Sequence, residues 1–227
     1  MRILPLVLLL WCCSASAQDS TITIRAGTSF SESVSMTDLY EYPQFVYGKV
    51  FFRQGDSTVA RLNYQRLSDA MQFIDFKGDT LDVAYAGTIK FFRIYNDIFY
   101  YDNGYVKLIK DHNTVKLAEK KTLMVSGRNK IGAYDMASPT SAITNYGSLI
   151  DQKAIYKLVP REDITLSKKT EYYLGDKFNH FVLANKKNLL RLYSKHERPI
   201  TGYLKENNVD FNSREDLEKL IQYIANL

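Results

Sequence analysis

From Phe45 to Ala84 the chain reads FVYGKVFFRQGDSTVARLNYQRLSDAMQFIDFKGDTLDVA, alternating its side chains with a period of two and breaking at turn residues. Period two sends successive side chains to opposite faces, so this stretch predicts strands and excludes helix. Val46, Gly48, Val50 and Phe52 share one face, and Tyr47, Lys49, Phe51 and Arg53 the other. Val59, Arg61 and Asn63 alternate in the same way with Ala60, Leu62 and Tyr64. Gln54-Gly55-Asp56-Ser57 joins the two runs, with Gly55 free to take the positive φ of a tight turn. The pattern repeats with Met71, Phe73 and Asp75 against Gln72, Ile74 and Phe76, and Lys77-Gly78-Asp79 turns the chain into Leu81–Ala84. Two hairpins in series make a meander.

The same grammar continues. Thr88–Tyr95, Ile98–Tyr101, Tyr105–Lys110 and Thr114–Ala118 read as strands, with Asp102-Asn103-Gly104 the strongest turn signal between them. Ser126–Leu149 breaks the rhythm with three glycines, a proline and no sustained period, and reads as a long connector. Strand character returns at Ala154–Val159, Ile164–Leu166, Glu171–Leu174 and Phe181–Ala184. From Lys186 the period becomes helical through Leu189, Leu190 and Tyr193. Pro199 opens a short helix over Ile200–Glu206. In the last helix, with Asn212 as the expected cap, Leu217, Leu220, Ile221 and Ile224 form one apolar stripe. The predicted fold is β-rich (α+β): an antiparallel meander sheet, sandwich or partial barrel, with C-terminal helices packed on it. Its parts are a leader over 1–17, an extended lead-in over 18–42, an antiparallel β domain over 43–185 and a helical segment over 186–227. In the lead-in, Thr21–Arg25 reads as a short strand and Ser35–Tyr40 as one helical turn capped by Ser35 or Thr37.

Arg2, the apolar Ile3–Trp11 and the small residues Ala15-Ser16-Ala17 form the pattern of a cleaved export signal. The apolar run is shorter than a membrane-spanning helix requires. Both cysteines, Cys12 and Cys13, fall inside it, so cleavage after Ala17 leaves no disulfide. Acylation of either cysteine is the alternative, but lipoprotein signals want a small residue before the cysteine, and Trp11 precedes Cys12. The expected address is the periplasm or outer-membrane periphery, or the medium.

Chemistry is harder to find. His112, His180 and His196 are scattered over a turn, a loop and a helix end, outside any nucleophile or zinc-ligand motif. No cofactor is implied. Asp79 with Asp82, or Asp97 with Asp102, offers the carboxylate pair of a glycan hydrolase, yet all but Asp82 lie where a turn already favours Asp. The net charge of +5 comes from basic residues spread along the chain, which argues against nucleic acid as partner and fits loose association with anionic surfaces. A membrane-spanning barrel is disfavoured by short strands with charges on both faces. Tyr134 and Tyr146, in the Ser126–Leu149 connector, are the candidate partner-contacting residues.

GKVFFRQGDSTVARLNYQRLSDAMQFIDFKGDTLDVA at Gly48–Ala84 and LKENNVDFNSREDLEKLIQYI at Leu204–Ile224 resemble a group of exported proteins of Bacteroidota-type bacteria. The resemblance runs from about Pro43 onward. It implies a Gram-negative envelope location and brings no catalytic residues. The expected function is that of a non-enzymatic envelope protein binding a protein or glycan partner, with an envelope glycan hydrolase as the alternative.

Overall fold

A computed structural model describes residues 21–131, 137–139 and 159–227. The expected leader, Tyr134 and Tyr146 lie outside the described residues.

The fold is β-rich, one antiparallel sheet with helices packed on it. Its strands are β1 (Thr21–Ile24), β2 (Val46–Phe52), β3 (Ser57–Gln65), β4 (Ala70–Ile74), β5 (Thr80–Asp82), β6 (Ile89–Ile94), β7 (Asp97–Tyr101), β8 (Tyr105–Asp111), β9 (Val115–Ile131), β10 (Ala137–Pro139), β11 (Asp163–Asp176) and β12 (Phe181–Leu183). The strand path is β1-β11-β9-β8-β7-β6-β2-β3-β4-β5, with β10 on β9 and β12 on β11. The hairpins of the opening stretch fall where period two places them. Asn103 and Gly104 both take positive φ in the β7–β8 turn, as the Asn-Gly signal requires.

The sheet curls without closing. Val46, Val50, Leu62, Tyr64, Met71, Phe92, Ile94, Phe99 and Tyr105 fill its concave side. Although β2 and β6 lie between them in the path, the Tyr64 ring on β3 reaches Phe99 on β7 at 6.0 Å and Tyr105 on β8 at 6.1 Å. Curling this tight needs a place where two strands and a side chain can approach. Gly48 is that place: a Cβ there would lie 2.9 Å from both the Arg93 carbonyl oxygen and Leu62 Cδ1. Across the mouth of the curl, Leu123 N–H on β9 donates to the Arg66 carbonyl, just past β3, at 3.1 Å.

The lead-in holds the expected strand within Thr21–Arg25 and the expected helical turn within Ser35–Tyr40, and departs from the extended expectation by one further turn. After β1 it forms α1 (Phe30–Ser33) and α2 (Met36–Leu39), the latter capped by Ser35, whose hydroxyl accepts from Asp38 N–H. These two turns bury Phe30, Val34, Leu39 and Tyr40 against Leu123, Ile164 and Leu166, stoppering one end of the curl.

The later helices are α3 (Lys186–Leu192), α4 (Glu197–Asn207) and α5 (Arg214–Ala225). α4 begins one turn earlier than Pro199 suggests, because proline is tolerated throughout the first turn, where N–H groups have no helical partner. The cap of α5 is Ser213, accepting from Asp216 N–H, and not Asn212, whose N–H instead donates to Asp210. The expected stripe Leu217, Leu220, Ile221 and Ile224 is buried against Val115, Leu117 and Leu174. Each of these side chains contributes about 1.5–3 kcal/mol by leaving water.

Two strands run longer than expected. β9 continues through Ser126 to Ile131, and β10 pairs with its end, so the first part of the supposed connector is sheet. β11 is one strand, not two, because polar Ser167–Thr170 sits in register opposite Thr21 and Lys121–Met124.

Candidate binding face

The carboxylates singled out in the sequence are occupied elsewhere. Asp82 accepts from Gln72 Nε2 at 3.0 Å, and Asp97 accepts from the Tyr42 hydroxyl at 2.6 Å. Asp102 accepts from Phe181 N–H at 2.7 Å and lies 2.9 Å from His180 Nδ1. Asp97 and Asp102 stand at opposite ends of β7, some five residues and roughly 16 Å of extended chain apart. Asp79 lies in the β4–β5 turn, where its N–H donates to Asp75. Among the described residues no three His, Cys, Asp or Glu side chains gather as a metal-holding group.

A buried charge network crosses the concave side. Glu41, leaving α2, takes Arg66 at 2.7 Å and Lys107 at 2.5 Å. Lys107 also lies 3.1 Å from Glu119, which meets Lys121 at 3.2 Å. Burial pushes the Glu41 carboxyl up, but the hydrogen bonds from Lys107 and Arg66 outweigh it and hold the group below the usual carboxylate range. Burial likewise pulls Lys107 down, and its pairing with Glu41 overcomes that and raises it. The space left among Glu41, Tyr64, Lys107 and Glu119 is about 10 Å³, room for a single water. This network ties the lead-in to β3, β8 and β9; it does not admit a substrate.

The convex face is built differently. Antiparallel pairing sets Lys49 on β2 directly between Val59 on β3 and Arg93 on β6, and Arg93 beside Ile98 on β7. One row along, Phe51 lies between Ser57 and Phe91; on the other side, Tyr47 pairs with Arg61. With strands about 4.8 Å apart, these rows form a grid of rings and cations. Phe51 and Phe91 stack at 4.4 Å; Phe91 meets Tyr100 at 6.0 Å, and Tyr100 meets Phe181 at 5.4 Å. Lys49 stands 5.1 Å from the centre of the Phe51 ring and Arg93 5.5 Å from it, so one ring is within reach of two cations. Tyr47 is 74% exposed and Val59 63%. No described element covers this part of the sheet.

Like charges placed directly opposite across a strand pair destabilise a sheet. Lys49 and Arg93 are such a pair, and among the described residues neither meets a carboxylate within ion-pair distance. The opening alternation already groups Tyr47, Lys49 and Phe51 on one face. Arg93 joins them only through register, which no local pattern encodes. Comparison of the chain with family models, curated proteins and solved structures returns no match.

Proposed function

We propose that this chain is an exported, non-catalytic envelope protein that binds a glycan along the convex rows of β2, β6 and β7. The carrying observation is the uncompensated Lys49–Arg93 pair flanking Phe51 on an uncovered sheet face. Such a pair costs stability in the free protein and is relieved by a ligand bearing acidic or hydroxyl groups. Aromatic rings beside the cations supply flat surfaces for the C–H faces of sugar rings.

Other partners fit the face less well. Protein interfaces are depleted of lysine at their centres, whereas here Lys49 stands in the middle row. Nucleic acid is disfavoured because the basic residues are spread along the chain and not gathered in one stripe. The export signature of the leader agrees with a ligand outside the cytoplasm.

Affinity electrophoresis of the purified protein against envelope polysaccharides tests the reading. Phe51→Ala and Arg93→Ala are each expected to weaken retention about tenfold, the effect of roughly 1.4 kcal/mol. Arg93 is exposed and Phe51 half-buried, so circular dichroism is expected to show both variants folded. Retention of no polysaccharide, or equal retention by both variants and the parent protein, rejects the proposal.

A further inference from the structure

At the Tyr100 end of the aromatic rows lies a cavity of about 190 Å³ lined by Arg53, Lys90, Tyr100, Tyr101 and Asn179. Its size is below that of sites for drug-sized ligands and suits one sugar unit or its acidic substituent. Every lining side chain carries a hydrogen-bond donor, two of them are cations, and none is a carboxylate.

How these donors are held matters more than their number. The pairing of β2 with β6 steps from Phe51↔Phe91 to Phe52↔Ile89, so Lys90 is the extra residue of a β-bulge. Strict alternation would send Lys90 to the concave side with Phe92. The bulge re-aims it into the cavity beside Tyr100, the use to which bulges near binding sites are commonly put. Arg53 is fixed by its Nε, which donates to the Gly87 carbonyl at 2.9 Å, leaving its terminal nitrogens for other acceptors. Asn179 sits in a left-handed turn, and its Oδ1 accepts from Lys116 Nζ at 2.8 Å, which leaves the amide's donor end for a ligand. Two carboxylates on neighbouring strands are engaged elsewhere, Asp111 with Lys116 at 3.6 Å and Asp102 with the Phe181 N–H at 2.7 Å.

We infer that this cavity is an anion subsite, and that the glycan bound along the convex rows is an acidic one whose carboxylate is received between Lys90 and Arg53. The inference rests on the glycan-binding reading and narrows it to a ligand class. The rings hold the sugar backbone, and the cavity selects for charge.

The test uses a uronic-acid polysaccharide and the same polymer after reduction of its carboxyl groups, titrated into the full protein by calorimetry. The uronate form is expected to bind at least tenfold more tightly, with affinity falling as salt is added. Lys90→Gln is expected to remove most of that difference. Lys90 is exposed and makes no ion pair among the described residues, so the variant is expected to fold, as circular dichroism would verify. Lys77→Gln, in the distant β4–β5 turn, serves as control and is expected to change nothing. Equal affinity for the two polymers overturns the subsite and leaves glycan binding standing. Failure of both to bind, with neutral envelope glycans also unbound, overturns both. Tighter Lys90-dependent binding of inorganic phosphate alone assigns the cavity to a free anion, and of oligothymidylate to a nucleic acid; either result overturns the acidic-glycan assignment.

Discussion

Glu41→Ala is expected to lower the stability of the folded protein by about 2 kcal/mol, because two largely buried cations lose the carboxylate they share and keep only Glu119, for Lys107, and the Thr37 and Asp38 carbonyls, for Arg66. Among the described residues Glu41 is the one acceptor that Arg66 and Lys107 share, and its side chain is 9% exposed. Urea denaturation measures the loss as a fall in midpoint at constant slope. Replacing Lys107 with Met in the same background removes the cation that has lost its closer carboxylate, so the double variant should be more stable than the sum of the two single losses implies. A loss below about 1 kcal/mol for Glu41→Ala would mean that the network does not hold the lead-in to β8.

The same pair predicts the pH profile. Glu41 has its folded-state pKa depressed, so its contribution is present above the ordinary glutamate value and is lost as pH falls through the lower folded value. Lys107 has its folded value raised, so its contribution is present below the ordinary lysine value and is lost as pH rises through the higher folded one. The stability difference between the parent protein and Glu41→Gln should therefore be flat through neutrality and shrink upon acidification. A difference that grows on acidification would contradict the assignment.

Leu220→Ala is expected to cost about 3 kcal/mol, the transfer free energy of the deleted atoms plus the cavity they leave. Leu220 is fully buried in the stripe that seats α5 on β9 and β11. Gln222→Ala, on the exposed side of the same helix, should fall within about 0.5 kcal/mol of the parent. Equal effects from the two substitutions would show that the helix is held by something other than its apolar stripe.

These outcomes separate what period and turn chemistry can carry from what only register supplies. The hairpins of β2–β5 and the stripe of α5 were legible because their apolar residues recur at two and at three to four positions. β9 was cut short at Ala118 because Glu119 and Lys121 enter the charge network and Lys116 is buried beside Asn179, so polar residues stand where an apolar interior face is expected. β11 was split for a related reason: Lys168 and Lys169 pair with Asp38 and Glu171, and a charged centre looks like a loop. The grouping of Tyr47, Lys49 and Phe51 was readable, whereas the Lys49–Arg93 pair and the turned-out Lys90 depend on how two separate strands align. A bulge exists only between partners, so neither β2 nor β6 announces it.

The pairing of β1 with β11 carries one more consequence. Ile22 meets Leu166, about two thirds of the chain's length away, while β2 to β5 and β6 to β9 are two runs whose successive strands pair through short turns. Loop-closure entropy favours the near pairings first, so the earliest segment to be made is among the last to find its place. Until β11 exists, Phe30 and Leu39 lack Ile164 and Leu166 to pack against, and that end of the curl is only partly covered. Under the export proposed above, such a late latch would delay commitment until the crossing is nearly done.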